Sequence, residues 1–94
     1  MKNRRKKAAA LSYEYYKDSA PKIIAKGTDS LAEKIIQIAR ENNIPIKEDV
    51  KLVEVLSTLE LYQEIPSELY RAVAEILAFI YWVTEGNKQE FMLK

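Results

Sequence analysis

Histidine and cysteine are both absent from this chain of 94 residues, and glycine occurs only twice, at Gly27 and Gly86. Without cysteine there is no disulfide and no thiolate site, and a reducing compartment is compatible. The lack of histidine removes the commonest general base and the commonest metal ligand together. Two isolated glycines do not make a Gly-rich loop that could cradle a phosphate. Any catalysis would rest on carboxylates, lysine or tyrosine, and the fourteen carboxylates are spread along helix faces and turns as a solvated surface. A Ser–Lys pair has no spacing in its favour. The chain is therefore expected to be no enzyme and to carry no cofactor and no metal.

Long apolar runs are missing as well. The most apolar window is Ala72–Val83, twelve residues broken by Glu75, against the ~20 needed to cross a bilayer. Ala8–Leu11 is too short for the apolar region of a secretory signal. A soluble, cytoplasmic chain is expected. Its length allows one modest core.

What is present is unevenly placed. Lys2, Arg4, Arg5, Lys6 and Lys7 put five positive charges in the first seven residues, and from residue 8 on ten basic side chains face fourteen acidic ones. A basic arm thus precedes a mildly acidic body. Such an arm can neutralise phosphates, and Tyr13, Tyr15 and Tyr16 nearby could stack on bases. The acidic body opposes that use.

Ala8–Tyr16 alternates Leu11, Tyr13 and Tyr15 with Ser12, Glu14 and Tyr16, the period of a half-buried strand. "KDSAP" (Lys17–Pro21) has turn chemistry, and Lys22–Lys26 reads as a second strand, so the two predict an antiparallel hairpin. Thr28–Asn43 predicts a helix, with Ser30 and Glu33 at capping-box spacing, an apolar stripe of Leu31, Ile35, Ile38 and Ala39 flanked by Ala32 and Ile36, and Asn42 and Asn43 suited to its end. Ile44–Lys47 predicts a short strand with Pro45 at its start, paired in parallel with the second strand through a β-α-β crossover. Asp49 can cap a second helix over Val50–Leu61, with Leu52, Val55, Leu56 and Leu59 inward. Pro66 suits the first turn of a third helix running to about Thr84, and Gly86 would stop it. That helix is apolar on almost every side. It is either sandwiched between sheet and helices or partly exposed as a groove for a partner peptide. "NKQEFMLK" has no readable period and is expected to fray. The expected fold class is α/β: a small mixed sheet, a hairpin plus a β-α-β unit, surrounded by three or four helices. The expected divisions are a flexible arm over 1–7, a domain over 8–85 and a frayed or disordered tail over 86–94.

Three phrases, "APKIIAKG" (Ala20–Gly27), "LAEKIIQIARENNIPIKED" (Leu31–Asp49) and "EIPSELYRAVAEILAFIY" (Glu64–Tyr81), occur in order and at fixed mutual spacing. Together they resemble the C-terminal cytoplasmic domain of the FlhB/YscU family, the substrate-specificity switch proteins of flagellar and injectisome type III export. The resemblance spans residues 8–83 and implies a small sheet surrounded by helices. Full-length members carry transmembrane helices and a linker ahead of this domain, so the chain looks like a stand-alone homologue of it. They also cleave themselves at an Asn-Pro-Thr-His loop just before the strand matching Ala8–Tyr13. Asn3, Arg4, Arg5 and Lys6 stand at that place, with Pro, Thr and His gone, so autocleavage is not expected. The chain resembles the fragment that cleavage would leave.

The resemblance further implies binding of flagellar export substrates or export-gate proteins, a truncated or full-length FlhB among them. Contact with the membrane would be indirect, through the export apparatus, and no small-molecule substrate is implied. In the family a shallow apolar site receives a short hydrophobic motif of the substrate. The matching positions here are Ala20 and Pro21 with Ala74 and Leu77, where small residues beside a leucine leave room for an incoming side chain. Their plain structural alternatives are a hairpin turn and core. The rival reading is a small module binding nucleic acid, or an anionic membrane surface, through the basic arm.

Overall fold

The fold is described over residues 5–83 and 88–94 of a computed structural model. Strand β1 (Lys7–Glu14) lies inside a four-stranded sheet, and the small residues at its start are buried on both faces: Ala8 and Ala9 are fully enclosed, as is Leu11. It forms the expected antiparallel hairpin with β2 (Lys22–Thr28), from Lys7 opposite Thr28 to Ser12 opposite Lys22, with a bulge after Ala10. Helix α1 (Asp29–Glu41) follows, then β3 (Ile46–Lys47), helix α2 (Val50–Leu56), a 3₁₀ turn over Ser67–Leu69, helix α3 (Tyr70–Val83) and β4 (Lys88–Leu93). The strand order is β2-β1-β4-β3.

Two expectations are corrected by β4. Residues 88–93 are not a frayed tail: β4 runs antiparallel to β1 from Ala9 opposite Leu93 to Glu14 opposite Lys88 and lies in the middle of the sheet. Phe91, Met92 and Leu93 are fully buried, because both faces of a central strand are covered. The third strand consequently pairs in parallel with β4, Ile46 opposite Met92, and not with β2. The crossover through α1 does return the chain in the direction of β2, but two strands stand between. The stop expected at Gly86 lies outside the described residues.

Alternation along the strands divides the core into two. Ala8 and Met92 point to one face, where they meet Ala32, Ile36 and Ala39 of α1. Ala9, Leu11, Phe91 and Leu93 point to the other, against Leu52, Val53 and Leu56 of α2 and Val73, Ile76 and Ile80 of α3. The result is three layers, helix on sheet on helices.

The inward faces of two helices are rotated from expectation. In α1 the buried residues are Ala32, Ile36 and Ala39, while Leu31 and Ile38 are 52% and 47% exposed. Alanines on the helix facing alanines on β1 bring the two backbones close, so the bulkier side chains are left outside. In α2 Val53 is buried and Val55 is half exposed. That helix ends at Leu56, short of the expected Leu61, where the Lys26 ammonium donates to the carbonyls of Ser57 (3.3 Å) and Leu59 (2.6 Å). A cation on the orphan carbonyls of a helix end both pairs them and complements the dipole.

The caps follow in part. Asp49 accepts from the Leu52 amide (3.0 Å), as expected. Thr28 stands at the cap of α1 without a side-chain cap bond, and Ser30 lies inside the helix, so no capping box forms. Asn43 takes the left-handed conformation (φ 56°) that ends α1.

Candidate functional site

The connection from β1 to β2 is a tight structure built around Asp18. The amides of Lys17 and Asp18 donate to the Glu14 carbonyl (3.0 and 2.8 Å), and the Asp18 carboxylate accepts from the Glu14 amide (2.8 Å). The Lys22 ammonium lies 3.5 Å from its other oxygen. The Glu14 amide above all holds the Asp18 carboxyl below its ordinary range; burial opposes this, and the nearby Lys22 charge adds to the lowering. This turn delivers Ala20 and Pro21 to the end of the sheet, where both are buried.

A second segment is stitched beside them. The Ile65 amide donates to the Pro21 carbonyl (2.9 Å), the Ile23 amide to Gln63 (3.0 Å) and the Tyr62 amide to Ile23 (2.6 Å). The Ser19 hydroxyl adds a bond to the Glu64 carboxylate (3.1 Å). These bonds satisfy part of the outer edge of β2 and fix Ile65, itself buried, against Ala20.

Helix α3 completes the site. With Val73, Ile76 and Ile80 turned to the sheet, its next face presents Ala74 and half-buried Leu77. Ala20, Pro21, Ala74 and Leu77 line one shallow groove of about 200 Å³, together with Tyr13, Ser19, Ile65, Tyr70 and Val73. All four residues singled out from the sequence are therefore brought together. Tyr13, Ile65 and Tyr70 were not anticipated. The floor is aliphatic and proline, and two phenols stand at the rim, one of which, Tyr70, is 48% exposed. Tyr13, Tyr15 and Tyr16 continue outward in edge-to-face contact, with ring centroids 6.5 and 4.9 Å apart. Of the two expectations for α3, the exposed groove describes this face, while Phe79, 68% exposed, stands apart from it beside Ala72 and Glu75. Such a surface can accept an apolar side chain and offer hydroxyls to a neighbouring backbone.

The residues at the degenerate cleavage-loop position are described only in part. Asn3 and Arg4 lie outside the described residues. Arg5 pairs with Asp29 (3.2 Å) and Lys6 with Glu33 (3.2 Å), while the Lys6 carbonyl accepts from the Asp29 amide (2.8 Å). Lys7 already belongs to β1. The described end of the arm is thus joined to the start of α1, so the expected boundary of a free arm at residue 7 does not hold there. Among the described residues no cluster of carboxylates could hold a metal ion, and no helix is long and apolar enough to cross a membrane.

The architecture and the groove define a class: a three-layer α/β domain with a shallow apolar groove at one end of its sheet. The chain belongs to the family described as FlhB HrpN YscU SpaS, whose model matches residues 2–80. It is 44% identical over 85 residues to the protein YlqH of Bacillus subtilis (strain 168), covering 90% of this chain and 91% of that one. It is 42% identical over 87 residues to the flagellar biosynthetic protein FlhB of Escherichia coli (strain K12), covering 87% of this chain but 23% of that protein. The chain thus spans nearly all of the first relative and about a quarter of the second. Among solved structures it is similar to the PscU C-terminal domain, with a TM-score of 0.75 and 30% identity, covering 80% of this chain and 96% of that one. The expected resemblance and the expected fold class both hold.

Proposed function

We propose that this chain is a non-enzymatic protein-interaction module of flagellar type III export. Its groove between the β1–β2 turn and α3 takes a short apolar segment of an export substrate or an export-gate protein. The observation that carries the reading is the meeting of Ala20, Pro21, Ala74 and Leu77 in one groove. Membership of a family that includes flagellar biosynthetic proteins supplies the context. The rival use of the basic arm for a polyanion is weakened by Arg5 and Lys6, whose charges are already matched by Asp29 and Glu33.

Ala74 is exposed, so a charge there changes the groove without opening the core. Binding of N-terminal segments of early flagellar substrates should fall by at least about tenfold in Ala74→Asp, the cost of desolvating an unpaired carboxylate against an apolar ligand. Leu77→Asp should act in the same direction, with circular dichroism confirming that each variant is folded. Undiminished binding by a folded Ala74→Asp would overturn the proposal. Salt-sensitive binding of DNA or RNA, lost on removing residues 1–7, would support the rival instead.

A further inference from the structure

A larger groove, of about 510 Å³, opens at the other end of the sheet, where β1 begins and β4 ends. It belongs neither to the core nor to the apolar site above. Its floor is Ile36 of α1 with Val50 and Val53 of α2, so the two helix layers meet there across the sheet's end. Lys7, Arg40 and Lys94 stand around it, and among the described residues none of the three has an ion pair or side-chain hydrogen bond. The backbone of Lys94 is held in place, its amide donating to Lys47 (3.1 Å) and its carbonyl accepting from Asp49 (2.9 Å). Arg5 and Lys6 also line the groove, but they are paired with Asp29 and Glu33. Three carboxylates line it against the five cations: Glu33, paired with Lys6, and on the α2 side Glu48 and Glu54, unpaired among the described residues.

We infer that this groove is a second docking site, for an acidic segment of a protein partner that also carries an apolar side chain. Charge complementarity identifies the occupant. The body of the molecule is acidic, yet on this concave surface cations are in excess, and those without partners surround an apolar floor. A concavity with an apolar floor suits inserted side chains, whereas a flat anionic bilayer or a nucleic-acid backbone would use the charge and leave the floor empty. The basic residues near the start of the chain thereby gain a role that does not require a polyanion.

The test uses the full chain, isotopically labelled, titrated with a blocked peptide of repeating Glu-Glu-Leu. Amide shifts should concentrate at Ile36, Arg40, Val53 and Lys94, and the affinity should fall as salt rises. The exposed Arg40→Glu should weaken binding by about tenfold, and Glu54→Gln should strengthen it, since it removes a repelling carboxylate. Ala74→Asp should leave this binding unchanged, which separates the inference from the function proposed for the other groove. Equal binding of a Lys-Lys-Leu peptide would overturn it, as would shifts confined to the groove at Ala74 or an affinity indifferent to Arg40→Glu. Arg40-dependent binding of phosphatidylserine vesicles or a single-stranded oligonucleotide, with no binding of the acidic peptide, would overturn the assignment to a protein segment.

Discussion

Asp18 is the side chain on which the apolar groove's entry loop depends, because its carboxylate ties the Glu14 amide and faces Lys22 just ahead of Ala20 and Pro21. Its side chain is only 12% exposed. A carboxyl whose folded pKa lies below its unfolded value stabilises the fold at pH above the unfolded value. That contribution is lost as pH falls through the depressed folded value. Thermal melts of the wild type and of Asp18→Asn should therefore differ at neutral pH, with the wild type more stable. The gap should close as pH drops below about 4, the ordinary range of an aspartate. A gap that is constant down to low pH would show that the ionised form is not what holds the turn. At this scale the sequence was informative about chemistry and silent about company. Asp18 and Ser19 are legible as turn residues, and Ala20, Pro21, Ala74 and Leu77 are named through the resemblance. Nothing local to Ile65 or Tyr70 says that a loop and a helix start will close on the hairpin turn. That closure is made by backbone bonds such as Ile65 to Pro21, which no side-chain pattern records.

Among the elements, β4 carries more of the core than its length suggests. Phe91 and Leu93 enter the layer under α2 and α3, and Met92 enters the layer under α1, so this one strand joins the two halves of the core. Phe91→Ala should cost about 3–5 kcal/mol in urea unfolding, the usual range for a fully buried phenylalanine. The exposed Glu90→Ala in the same strand should stay within about 0.5 kcal/mol. If Phe91→Ala proved as mild as Glu90→Ala, β4 would not be the joint described. The strand escapes reading because a central strand buried on both faces shows an unbroken apolar run, here only Phe-Met-Leu, too short to have a period. Missing it also misplaces β3, whose partner is β4. The helices are legible in existence and misjudged in orientation. Hydrophobicity favours Leu31 and Ile38 as the inward face of α1, while close packing on the alanines of β1 selects Ala32, Ile36 and Ala39.

For the whole molecule, the central strand sets the distance between the two grooves. Tyr13 lines the apolar one and Lys7 the basic one, near opposite ends of β1. At ~3.3 Å per residue they are about 20 Å apart, beyond the range at which substitutions normally couple. A double variant, Ala74→Asp with Arg40→Glu, should therefore lose each ligand by the same factor as the single variant. Its stability change should equal the sum of the two within about 0.5 kcal/mol. A strongly non-additive result would mean that the sheet transmits strain between its ends. The three-layer arrangement leaves room for both sites because α1 alone covers one face of the sheet, while α2 and α3 share the other.

The central position of β4 also bears on how the molecule is made. On the ribosome β1, β2 and α1 are synthesised early, but the sheet stays split between β1 and β3 until Leu93 has emerged. Neither layer of the core can close before that moment. Pairing across nearly the whole chain is also slow, since the closure entropy is met before the contacts form. The nascent chain thus exposes the flank of β1 throughout its synthesis. Along that flank Ala9, Ala10, Ser12 and Glu14 interrupt the larger Leu11 and Tyr13, which makes the waiting edge a poorer template for aggregation.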